Sequence, residues 1–164
     1  FLEELLELSL TDRERAERPV AEAAAARIVK VYRRMLKMGR AISPSSPAED
    51  FHELRKRGKE LRYLLELFGA PLFQADVVKP MIKDLKSLQD VLGRHQDREV
   101  QIALLRSLSD EVAGRPGGPA ALMATGVLIE RLARDERQAR TDFAERFGAF
   151  ASTEQRERVK DTFT

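Results

Sequence analysis

The chain has 164 residues, of which 43% are hydrophobic and 34% charged, with no cysteine and no tryptophan. That length suits one domain with a real core, and the missing cysteines exclude disulfides, thiolate metal sites and a cysteine nucleophile. Net charge is only +2, but residues 27–62 carry eleven basic against four acidic side chains, and such clustering marks a polyanion footprint better than the total does.

Leu, Ala, Glu and Arg dominate. They lose little side-chain freedom in a helix, and no alternating run rich in Val, Ile or Thr argues for a sheet. An all-α fold is expected, an antiparallel four-helix bundle with additional C-terminal helices, as one unit over residues 1–164. No run of 18 apolar residues spans a membrane and no signal peptide is visible, so a cytoplasmic location is expected. A start at Phe1 rather than Met suggests a processed, trimmed or partial chain.

Residues 1–10 read as the end of a helix. Thr11–Asp12 is a cap signal for a long helix to about residue 42, with Pro19 a point of re-initiation. Its seam is Val20, Ala24, Ile28, Val31, Met35, Met38 and Ile42. After the Ser43–Pro47 loop a second helix covers about 48–68, on Phe51, Leu54, Gly58, Leu61, Leu65 and Phe68. Gly58 on that seam suggests a close helix–helix approach, and Gly69-Ala-Pro71 is the expected stop. A third helix is expected over about 76–92, with Pro80 near its start and Gly93 as C-cap. Asp97 is then expected to cap a fourth helix to about 113, along Val100, Leu104, Leu108 and Val112. Gly114 to Pro119 is the strongest breaker. A long fifth helix over about 120–147 and a short last one from about 153 follow. Short loops between such seams favour an antiparallel bundle, and helices one to four are expected to suffice for it.

The second helix carries most of the information. His52, Arg55, Lys56, Lys59, Arg62 and Tyr63 share one sector away from its apolar seam. Like charges so close repel, at a few tenths of a kcal/mol per pair, and an anion would offset that cost. The first helix repeats the pattern with Arg27, Lys30, Arg34 and Lys37. The third does so more weakly with Lys79, Lys83 and Lys86, followed by Arg94 and His95. If the helices are neighbours, these stripes line one groove, where Arg offers forked donors and Lys compact charge to phosphate oxygens. A single stripe is usually just a solvated face; three stripes poor in Glu and Asp weaken that reading. On the fifth helix Arg131, Arg134, Arg137 and Arg140 alternate with Glu130, Asp135, Glu136 and Asp142, which reads as an ordinary salt-bridged surface.

Nothing supports catalysis. The two histidines are 43 positions apart, with no HExxH pair, no zinc spacing, no P-loop and no GxGxxG. Asp84 and Asp90 are better read as balancing Lys83 and Lys86 than as a magnesium pair. No metal and no cofactor is expected.

The segment from Phe51 to Phe68, with His52, Arg55, Lys59, Leu61, Arg62 and Tyr63 in place, resembles the hallmark helix of CHAD domains, the histidine-bearing α-helical domains. Leu85-Lys-Ser-Leu-Gln-Asp-Val-Leu-Gly93, then Asp97, resembles their second hallmark. The likeness covers about residues 20–113 well and is to the C-terminal half of such a domain, which is roughly twice this length. It implies two four-helix bundles related by pseudo-twofold symmetry with a basic channel, binding of inorganic polyphosphate, and association with polyphosphate granules. A missing N-terminal half or a homodimer would then complete the channel. CHAD domains often follow a triphosphate-tunnel hydrolase domain, of which this sequence has no trace. The alternatives are RNA binding by the same surface, for which only Tyr63 and Tyr32 offer stacking, a phosphoryl-transfer enzyme, and a non-catalytic scaffold or dimerisation module.

Overall fold

The computed structural model describes residues 19–164. The expected helix end at residues 1–10 and the Thr11–Asp12 cap lie outside them. The described chain is helical with no strand. It comprises α1 (Val20–Ala41), α2 (Ala48–Leu64), a π-helical turn (Leu65–Gly69) running into the single turn α3 (Ala70–Leu72), α4 (Ala75–Ser107), α5 (Ser109–Ala113), α6 (Gly118–Phe150) and α7 (Thr153–Phe163).

α1 ends where Ile42 turns extended (φ −72°, ψ 129°), and the helix could not have run much further, since Ser43 precedes Pro44 and a residue before proline avoids the helical region. α2 starts behind Pro47 with Glu49 and Asp50 in its first turn, where carboxylates suit the helix dipole. The expected stop at Gly69-Ala-Pro71 comes slightly late. The Ala70 N–H reaches back to the Leu65 carbonyl in a wide π turn, and the chain leaves the helix only at Phe73 (φ −128°, ψ 178°).

The largest departure from expectation is α4. The third and fourth helices are one helix of 33 residues, running through Gly93 and Asp97 without a break. Gly93 is no C-cap: among the described residues the only glycine with positive φ is Gly117, ahead of α6. The buried seam runs Leu85, Leu88, Val91, Leu92, His95 and Ile102. Counting apolar residues alone skips His95 and loses the phase. It selects Val100, Leu104 and Leu108, which are 56%, 56% and 39% exposed. Pro80 falls in the second turn of α4 rather than at its first residue.

Four helices make an antiparallel bundle, α1 on α2, α2 on α4 and α4 on α6, with α7 returning against α1 and α4. The fourth member is therefore α6, the long helix expected to lie outside. Ile28, Met35, Leu54, Leu61, Leu85, Leu88 and Leu92 fill the middle. Each such side chain contributes roughly 1.5–3 kcal/mol by leaving water. Gly58 does mark a close approach, since a Cβ there would sit 3.3 Å from Gln89 of α4 and 3.5 Å from Met35 of α1. The Tyr32 hydroxyl donates to the Phe150 carbonyl at 3.2 Å, tying α1 to the end of α6. Burial pushes that phenol up to about 12, against the pull of Arg156 and Arg40. No helix of the described residues is long and apolar enough to cross a membrane.

Candidate polyanion site

The α2 stripe survives as a surface and faces α4. Along the junction, α4 presents Gln89, Gly93 and Gln96, at steps of four and three that keep one face of the helix toward α2. His52 Nδ1 lies 2.8 Å from Gln96 Oε1, which fixes the ring at the start of α2. The place of a Cβ on Gly93 is 3.9 Å from Arg55 Nε, an ordinary contact distance that sets Arg55 over this face of α4. Two turns further, Arg62 lays its guanidinium over the Tyr63 ring, 5.2 Å from the centroid, and Tyr63 itself is half exposed. Lys56 and Lys59 stand on the exposed side of the same stripe, and Lys86 joins it from α4, 3.1 Å from Glu66. Lys56 is paired with Glu53, a hydrogen bond that holds the Glu53 carboxyl below its usual range.

Two donors here have no protein acceptor among the described residues: Arg62 Nε and Gln89 Nε2 are both buried and unmatched. A buried donor without an acceptor is costly, but atoms so enclosed are out of a surface anion's direct reach, and Arg57 Nε and Gln155 Nε2 are buried and unmatched elsewhere in the bundle.

The other stripes do not join this junction. Arg27 bonds Glu60 of α2, which also accepts from Arg57 at 2.7 Å. Burial opposes the charge on Glu60, but those two hydrogen bonds outweigh it and keep its carboxyl below the usual range. Glu60 lies about 140–160° around α2 from Arg55 and Arg62. Of the α1 cations, Arg27 therefore meets α2 on its opposite flank, while Lys30, Arg34 and Lys37 are exposed on α1, and the single groove expected from three stripes is divided. Lys83 is exposed on α4 and bonds to nothing in the junction. Arg94 turns toward α6 and pairs with Asp142 at 2.7 Å.

His95 is a correction. Only 1% exposed, it lies inside the bundle, stacked on Phe51 at 4.3 Å, with Nε2 2.7 Å from Glu136 Oε1 but off the hydrogen-bond axis. A surface ligand does not reach it. Burial lowers its pKa, against the opposing pull of Glu136. Glu136 and Arg140 correct the reading of α6 as plain salt-bridged surface. Arg140 bonds Glu136 through Nε, donates to the Ser46 carbonyl at 2.7 Å, and covers the Phe51 ring at 4.8 Å. His95, Glu99 and Glu136 bring donor atoms within 4.8 Å of one another, the kind of set that holds a cation. Here Arg140 already places one on Glu136.

Sequence reasoning missed Gln89 and Gln96, although Gln89 stood inside the second hallmark segment. Uncharged side chains leave no mark in a charge count. In comparisons with known proteins, the family model described as CHAD domain matches residues 1–106, which takes in α1, α2 and nearly all of α4. The chain has no match among curated proteins.

Proposed function

Since the chain belongs to the CHAD domain family, we propose that it binds inorganic polyphosphate along the junction of α2 and α4, without catalysis. The observation that carries this reading is the meeting of His52, Arg55, Lys59 and Arg62, along one flank of α2, with Lys86 of α4 across the junction. Phosphate oxygens spaced along a chain supply acceptors at that repeat. Each charge-assisted bond contributes about 1.5–3 kcal/mol, enough to offset the repulsion among the cations. Arg27, Lys30, Arg34 and Lys37 form a second cationic flank. There a long polymer gains further contacts, or a missing N-terminal half or a second copy completes a channel. The location follows the ligand: the cytoplasm, at polyphosphate granules.

Calorimetry with long-chain polyphosphate at two salt concentrations tests the proposal, with single-stranded RNA as competitor. Affinity should fall as salt rises, by the counterion release familiar from nucleic acids, and RNA should not displace the ligand, because Tyr63 alone offers a stacking face. Replacing Arg55, Lys59 and Arg62 together by alanine should weaken binding at least about 100-fold with helicity intact. Unchanged affinity in that variant removes the site. Displacement by RNA transfers the surface to nucleic acid.

A further inference from the structure

A cavity of about 720 Å³ beside α6 is built differently from the basic junction. It lies where the loop after α1 passes over α6, with Phe51, Phe143 and Phe147 as its floor. Phe143 and Phe147 stack at 5.4 Å, and Phe51 meets Phe143 edge-on at 5.3 Å, so the floor is a set of ring faces and edges. Ile42 and Ala144 form apolar walls. The mouth carries Arg40 and Arg137, and no carboxylate lines the cavity.

The space is held open by the chain itself. Arg140 donates to the carbonyls of Ser46 at 2.7 Å and Pro44 at 3.2 Å, which pins the loop over α6. The absence of a side chain at Gly39 lets Phe147 lie flat on α1. Arg140 is thereby a fixed wall, while the two arginines at the mouth have charge to spare. Arg40 has no acidic partner among the described residues. Arg137 pairs with Glu130 at 2.8 Å, with both side chains more than half exposed, a bond water replaces easily.

We infer that this cavity is a binding site for a small amphiphilic anion, with a flat apolar body on the phenylalanine floor and a carboxylate, sulfonate or similar head between Arg40 and Arg137. The volume is that of an ordinary small-molecule pocket. Apolar lining with a few convergent cations selects for such a ligand over polyphosphate, which has no apolar part, and over neutral hydrocarbons, which leave the guanidinium groups unused.

The probe is 8-anilinonaphthalene-1-sulfonate, added to the full 164-residue chain and followed by fluorescence. One equivalent should bind with blue-shifted emission. N-phenyl-1-naphthylamine, its neutral counterpart, should bind at least about tenfold more weakly. Ala144→Trp fills the cavity from an exposed position on α6 and should abolish the signal. The double variant Arg40→Glu, Arg137→Glu should weaken sulfonate binding about tenfold and leave the neutral probe unchanged. Saturating polyphosphate should not displace the probe. Circular dichroism confirms that each variant keeps its helices, and the charge variant, confined to exposed side chains, stands if Ala144→Trp unfolds. No binding by the wild-type chain, equal binding of the two probes, full binding by Ala144→Trp, or displacement by polyphosphate each overturns the assignment.

Discussion

Gly39 has no side chain because Phe147 occupies the space one would need. A Cβ there would lie 2.0–2.7 Å from three ring atoms, and the ring is boxed in by Phe143 and Phe150. Gly39→Ala should therefore destabilise the chain by about 1–3 kcal/mol despite the better helix propensity of alanine, as urea denaturation will read. His95 has a pH signature. Burial holds its pKa below the ordinary value, Arg140 adds to that, and Glu136 and Glu99 oppose it. The unfolded chain, with a histidine near 6.5, then binds the extra proton. Stability is full above pH ~6.5 and declines as pH falls toward the folded value. Thermal melts at pH 7.5 and 5.5 should show that loss, and His95→Gln should remove most of it. An identical loss in the variant would assign the slope to other groups.

At the scale of elements, α4 distinguishes a glycine that stops a helix from one that is merely inside it. Gly93 has helical backbone, and the nearest atom to an added Cβ is 3.9 Å away. Gly93→Ala should then stabilise the chain by roughly 0.5–1 kcal/mol in urea melts. A C-cap in the left-handed region would respond with the opposite sign, so the variant tests the continuity of α4 directly. The divided cation stripes have the same kind of origin. A helical wheel correctly collects His52, Arg55, Lys59 and Arg62 on one flank of α2. It is silent on which flank meets α4 and which meets α1, and Arg27 on Glu60 settles that for α1.

For the whole molecule, a ligand that binds only the folded chain adds stability by mass action. Polyphosphate at a hundred times its Kd should raise the unfolding free energy by ~2.7 kcal/mol. The gain should shrink with added salt and vanish when Arg55, Lys59 and Arg62 are all alanine, as denaturant melts with and without the polymer will measure. An equal gain in that triple variant would place the ligand on another surface, the α1 flank being the first to examine.

The helical class, the bundle and the α2 stripe were legible in the sequence because each depends on periodicity within a single segment. Loop chemistry marked most of the breaks for the same reason: Pro44, Pro47 and the Gly114 to Pro119 run act locally. Burial does not. His95 and Glu136 are polar by type, and only the packing of α6 against α4 puts them inside, with Arg140 and Phe51 as partners. Gln89 and Gln96 became part of the candidate site through which face of α4 meets α2, and the phenylalanine-floored cavity exists only because a loop pinned by Arg140 passes over α6. The contacts between elements behind those outcomes join residues from 31 (Gly58 and Gln89) to 96 (Arg140 and Pro44) positions apart, a range over which no local pattern carries the information.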